Sequence, residues 1–169
     1  YSVSFDGNGG SGGEAGRTAR ATFDAAMPAI SQDAPHRAGY AFKGWYDGAD
    51  WRAAGVKQYY VAAGTSAQVW DKPSDATLYA GWEALSYVLA YDAAGGELAA
   101  GARGSYTIED ADFDLPSPTR YGYQFDGWDV SGVAEDGSAG PVLGTGVETV
   151  AGADGSKVTR VRAGTYGDL

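Results

Sequence analysis

Apolar and polar residues alternate from Tyr1 to Asp6, and the alternation breaks at Gly7-Asn8-Gly9-Gly10. That is the pattern of a short strand running into a tight turn. Arg17 to Phe23 alternates again and predicts the returning arm of a hairpin. Asp24 to Met27 predicts a single helical turn ahead of Pro28. A third strand is expected through Tyr40, Phe42 and Trp45, and a last one over Thr77 to Glu83. No stretch keeps a 3.6-residue apolar period for the length of a substantial amphipathic helix.

The order then repeats. Leu85 to Asp92 predicts a strand that breaks at Ala93-Ala94-Gly95-Gly96. Strands over Ala102 to Ile108, Tyr123 to Val130 and Lys157 to Arg162 follow, with a turn at Asp112 to Leu115. Residues 37–45 and 120–128 share six of nine positions, offset by 83, and residues 3–10 are echoed by 89–96, offset by 86. An internal echo of this kind indicates tandem modules, here 1–84 and 85–169. No Pro-, Ser- or Gly-rich spacer separates Trp82 from Tyr87, which predicts a restricted joint.

Modules of this size bury little apolar surface each. Five Trp and twelve Tyr compensate, because each aromatic side chain buries a large area. The chain has no Cys, so neither a disulfide nor a thiolate metal site supports the fold. Its formal charge of −10 is uneven: residues 1–83 carry nine acids and seven bases, residues 85–169 thirteen and five. That balance argues against nucleic acid and against insertion into an anionic membrane surface. No apolar run is long enough to span a bilayer. The chain begins in mid-pattern, so it reads as an excerpt whose targeting signals lie outside it.

The sequence of signals is similar to the Listeria–Bacteroides repeat, also called the internalin B-type B repeat. Module 1 supplies Phe5-Asp6-Gly7-Asn8-Gly9-Gly10, Met27-Pro28, Pro35-His36-Arg37, Gly39-Tyr40, Phe42, Gly44-Trp45 and Thr77-Leu78-Tyr79-Ala80-Gly81-Trp82. Module 2 supplies Tyr91-Asp92, Gly95-Gly96, Leu115-Pro116-Ser117-Pro118-Thr119-Arg120, Gly122-Tyr123, Phe125 and Gly127-Trp128. The resemblance implies an α+β, β-dominated chain of two tandem β-grasp (ubiquitin-like) modules. It implies a structural or adhesive role at a bacterial cell surface, extracellular and wall-attached through regions elsewhere, with neighbouring repeats as partners. Three departures stand out. Module 1 inserts Ala29 to Ala34 between its prolines. Only module 1 has an aromatic stretch after the signature. Module 2 stops at Leu169, where Thr-Leu-x-Ala-x-Trp is expected, and so lacks its last strand.

The shared signature comprises Tyr40, Phe42, Gly44 and Trp45, repeated as Tyr123, Phe125, Gly127 and Trp128, and reads as core packing. Strand alternation puts Tyr40 and Phe42 on one face and Trp45 on the other, unless a bulge intervenes. Trp51, Tyr59, Tyr60 and Trp70 are the candidates for contact with a host protein or glycan, because module 2 has no counterparts. They could equally form a satellite core. Asp110, Asp112 and Asp114 alternate like the front of a calcium loop, but Leu115 stands where the sharp turn needs Gly and Tyr121 where a bidentate Glu belongs. The lone His36 sits beside no recognisable nucleophile. Asn8, the sole Asn, limits any Lys–Asn isopeptide link to one. No catalytic residue, metal or cofactor is assigned.

Overall fold

A computed structural model describes residues 1–133, 139–140 and 146–169. The chain divides into two compact units, Tyr1–Glu83 and Ala84–Leu169. Among the described residues there is no helix. The α component of the expected α+β class is therefore absent, and the chain is β-dominated. The predicted turn of helix at 24–27 is instead a bend, whose flanks form isolated bridges from Phe23 to Trp70 and from Ala26 to Val69. The Asp24 N–H donates to the Trp70 carbonyl, and the Ala25 carbonyl accepts from the Trp70 N–H. The Ala25 N–H bonds the Thr22 carbonyl, so these groups are satisfied without a helix.

Unit 1 holds β1 (Ser2–Asp6), β2 (Thr18–Arg20), β3 (Tyr40–Tyr46), β4 (Gln58–Val61) and β5 (Ala76–Ala84). They form one sheet in the order β2-β1-β5-β3-β4. β1 and β2 are antiparallel, whereas β1 and β5 run parallel, with Val3 opposite Ala76 and Phe5 opposite Leu78. β5 is the central strand, and its alternate residues Leu78, Ala80 and Trp82 are all buried. Around them pack Val3, Phe5, Trp45, Tyr59, Tyr60 and Trp70, together with Ala21 and Met27 from the irregular segment after β2.

Unit 2 contains β6 (Ser86–Val88), β7 (Ser105–Thr107), β8 (Phe113–Asp114), β9 (Gly132–Val133), β10 (Ala139–Gly140), β11 (Val147–Ala151) and β12 (Lys157–Val161). β6 pairs antiparallel with β7, placing Val88 opposite Ser105, as Ser2 lies opposite Arg20 in unit 1. β8, β12 and β11 form a three-stranded sheet. The segment 112–115, expected to turn, contributes β8, because Phe113 and Asp114 pair with Val161 and Arg160. The strand expected at 123–130 is missing: this stretch is irregular, with one bridge between Arg120 and Tyr123. A second, smaller core gathers Tyr87, Leu89, Tyr106, Leu115 and Val161.

Candidate functional site

The repeated signature builds the same local device twice. Gly39 and Gly122 both turn the chain at φ 78°, a left-handed conformation that glycine adopts without a Cβ penalty. The turn lays the preceding arginine over the following tyrosine: Arg37 lies 4.0 Å from the Tyr40 ring centroid, and Arg120 lies 4.2 Å from that of Tyr123. Each guanidinium then donates a hydrogen bond across the unit, Arg37 to the carbonyl of Asn8 at 3.2 Å and Arg120 to that of Ala94 at 2.9 Å. Asn8 and Ala94 both adopt positive φ, 47° and 48°. The signature therefore clasps the strained Gly-rich turn that ends the first strand, and a cation–π contact holds the clasp.

Past the clasp, simple alternation fails. Gly44 sits at φ 125°, where a Cβ would lie 2.2 Å from the Tyr60 carbonyl oxygen. The β3–β4 register shifts immediately afterwards, between Trp45 and Tyr46. That shift leaves Tyr59 as an extra residue on β4. Trp45 lies in the core that Phe42 also borders: their ring centroids are 5.5 Å apart, and Trp45 meets Phe5 edge-on at 4.9 Å. Phe42 and Trp45 thus share a face, contrary to strict alternation, where the left-handed φ of Gly44 between them interrupts the extended strand. Unit 2 keeps the same contacts. Gly127 has φ 115°, and Trp128 lies 5.4 Å from Phe125 and 5.3 Å from Tyr91, the counterpart of Phe5.

The four residues nominated for ligand contact do not form a surface. Tyr59, Tyr60 and Trp70 have no accessible area and belong to the unit 1 core. The Tyr60 hydroxyl donates to the Pro28 carbonyl at 2.8 Å, and burial pushes its pKa up to about 12. The Tyr59 hydroxyl bonds Asp71, and its pKa is raised, by burial first and by that carboxylate second. Trp51 is partly exposed. Its indole N–H donates to the Trp82 carbonyl at 2.8 Å, its ring lies 5.5 Å from that of Tyr46, and Arg52 covers it at 4.6 Å. The aromatic and β-branched run Tyr59-Tyr60-Val61 is the signal that marks this segment as strand.

The alternating aspartates of unit 2 are taken up by arginines rather than gathered around one point. Asp110 meets Arg103 at 2.6 Å, Asp112 meets Arg162 at 3.0 Å, and Asp114 meets Arg160 at 2.6 Å. Among the described residues no group of three metal-binding side chains converges. Asn8 uses its amide to donate to the carbonyls of Ala49 and Ala80, at 2.8 and 3.0 Å, and so ties the first turn to β5.

Sequence reasoning overlooked one matched pair. Asp75 accepts a hydrogen bond from the Ser2 N–H at 2.7 Å, and Asp168 accepts one from the Val88 N–H at 2.8 Å. In unit 1 the residue after Asp75 opens β5 opposite Val3. In unit 2 the residue after Asp168 is Leu169, which donates to the Val88 carbonyl at 2.9 Å and accepts from the Ala90 N–H at 2.8 Å. Those two bonds bracket Leu89, the counterpart of Val3, so Leu169 occupies the first rung that Ala76 fills in unit 1. Two hollows open in unit 2, one lined by Leu89, Tyr91, Leu115, Trp128 and Leu169 and the other by Ala93, Gly96, Pro118 and Phe125.

The family model of the Listeria-Bacteroides repeat domain matches residues 1–81 and again 87–133. The chain belongs to that family and carries two tandem copies of its repeat. The family is typical of bacterial surface proteins. No curated protein and no solved structure matches the chain.

Proposed function

We propose that this pair of Listeria-Bacteroides repeats is a stalk or scaffold at a bacterial surface, holding another part of its protein away from the wall. The observation that carries the reading is where the shared residues go. Tyr40, Phe42 and Trp45, with their counterparts, are spent on a turn clasp and a core, and Tyr59, Tyr60 and Trp70 are fully enclosed. Conserving folding devices while facing solvent with paired surface charges suits a spacer better than a catalyst. The pairing of Glu83 with Lys43 at 2.9 Å and Arg52 at 3.1 Å is of that surface kind.

The β-grasp reading belongs to the same proposal. It draws support from a mixed sheet whose first and last strands lie parallel and adjacent, flanked by two antiparallel arms. In unit 1 the irregular segment carrying Ala21, Met27 and Ile30 packs on the core, the role a helix would fill in such a fold.

The alternative, a host protein- or glycan-binding module, retains only the partly exposed edge of Trp51 with Arg52 stacked on it. Adhesion of the intact surface protein separates the two. Deleting the pair should weaken adhesion, and an unrelated folded tandem of similar span should restore it. Failure of that replacement, with loss of adhesion on Arg52→Ala in a folded protein, would favour binding.

A further inference from the structure

Asn8 is the only asparagine in the chain, and a glycine follows it. That dipeptide carries covalent chemistry of its own in water, which is why asparagine is a thermolabile residue. The Gly9 backbone nitrogen, once it gives up its proton, attacks the Asn8 side-chain carbonyl carbon, and no Cβ on glycine screens the approach. The new bond joins the Gly9 nitrogen to Cγ, the bond from Cγ to Nδ2 breaks, and ammonia leaves with the proton. Water then opens the resulting succinimide at either carbonyl. One product is aspartate, and the other is isoaspartate, with an extra carbon in the main chain.

The fold ties down the group that has to move. The Asn8 side-chain nitrogen donates to the carbonyls of Ala49 and Ala80, at 2.8 and 3.0 Å, from 41 and 72 residues away. Its backbone N–H donates to Asp6 at 2.8 Å, and its carbonyl accepts from Arg37 at 3.2 Å. Closing the ring folds the side chain back onto the main chain and pulls the nitrogen off both distant carbonyls. Those contacts exist only while the first turn, the loop after β3 and β5 are assembled.

The product cannot restore them. A carboxylate has no proton to donate, and it would stand against two carbonyl oxygens at hydrogen-bond distance. Isoaspartate also lengthens the main chain inside the turn, where Asn8 sits at φ 47° and Gly9 at φ 87°. The Arg37 clasp is anchored on that same peptide. Unit 2 lacks the reacting group, because Ala94 takes the matching place at φ 48°, with Gly95 after it.

We propose that Asn8 is a self-modifying site gated by the folding of unit 1. Deamidation waits for the tie between the first turn and β5 to open, and once it has happened the tie does not re-form. Unit 1 therefore weakens in one direction with each opening, while unit 2 does not age by this route. The proposal goes beyond the stalk reading and can fail without it.

The test holds the full chain in mildly alkaline buffer across a denaturant series. Mass spectrometry of the tryptic peptide 1–17 follows the amide-to-acid mass gain. Conversion should run more than about tenfold slower in native buffer than in the unfolded chain, because its rate follows the open population. It should also rise with the unfolded fraction of unit 1. The converted protein and Asn8→Asp should each unfold at lower denaturant in unit 1 and unchanged in unit 2, read from amide signals of each. Asn8→Ala should show no mass gain in this peptide. Equal conversion rates in the folded and unfolded chain would overturn the proposal. So would converted protein, and Asn8→Asp, in which unit 1 is as stable as before.

Discussion

Tyr40 to Trp45 and Tyr123 to Trp128 share a signature, yet the first is a strand and the second is not. Both keep the arginine–tyrosine clasp, the positive-φ glycine and the Phe–Trp contact. They differ in what lies alongside. In unit 1, β3 sits between β5 and β4 and is hydrogen-bonded to both. Among the described residues of unit 2, no strand pairs along 124–128, and Leu169 makes one rung beside Leu89. A strand is a relation between two backbones, so side chains that favour extended structure cannot define one without a ladder partner. Burial follows the same logic: Trp45 is 2% exposed and Trp128 is partly exposed.

The sharpest way to test the comparison is to remove each tryptophan in turn. Trp45→Ala should cost unit 1 about 3–5 kcal/mol, the range for a buried tryptophan. Trp128→Ala should cost unit 2 roughly half as much, because less of its ring is enclosed. Denaturant titration of the full chain, read by amide signals from each unit, checks this. Equal losses would mean the two cores are closed to the same degree.

Next in size is a pair of glycine substitutions. Gly10→Ala forces a methyl into the Trp82 ring and should cost about 1–3 kcal/mol by overpacking. Gly96→Ala meets nothing nearer than backbone oxygens at 3.1–3.2 Å and should cost clearly less. A penalty in unit 2 as large as in unit 1 would mean that Gly96 is packed as tightly as Gly10.

A third pair should behave alike. Asp75→Ala and Asp168→Ala each leave a backbone N–H of the first strand without its carboxylate, and each should cost about 1 kcal/mol. If only Asp75→Ala registers in thermal unfolding, the first rung of unit 2 is not formed.

The smallest effect is on acid stability. The Thr107 N–H first, and the Arg103 guanidinium after it, hold the Asp110 carboxyl below its ordinary value. Arg160 does the same for Asp114. In unit 1, Lys57 and then Tyr59 lower Asp71, while Lys43 and then Arg52 lower Glu83. A carboxyl whose folded pKa is depressed stabilises the fold above its unfolded pKa, about 4, and loses that contribution as pH falls through the folded value. Both units should therefore hold steady from pH 7 to 5 and weaken below about pH 4. Asp110→Asn should flatten the acid limb of unit 2 in a melting series, and an unchanged limb would remove Asp110 from the account.

Much of the fold was legible from alternation alone. β1, β2, β6, β7 and β12 fall inside segments expected to be strands, and β5 extends one residue past each end of its expected segment, because each sets one face against a core. β4 was missed, since the tyrosines of Gln58–Val61 were weighed as a contact surface although both lie in the interior. β8 was read as a turn because two residues carry no period. Three of the four ligand candidates, Tyr59, Tyr60 and Trp70, lie in the core. They were not told apart for one reason: aromatic residues without a counterpart in the second repeat look equally like a binding face or an enlarged core. Burial is a property of what surrounds them.

By itself the sequence determined the tandem repeat, the position of both turn clasps and the family, because these depend on residue identity at fixed local spacing. It also placed the glycines whose positive φ lets an arginine reach its tyrosine. The tertiary structure alone decided which copy of the signature becomes a strand, that Phe42 and Trp45 share a face where Gly44 breaks the alternation, and that Leu169 pairs beside Leu89. Those outcomes rest on pairing between segments distant in the chain, from β3 with β4 and β5 to the bonds of Val88 with Asp168 and Leu169, about 80 positions apart. No local spacing encodes such pairings, because they exist only once the first strand and the last have met.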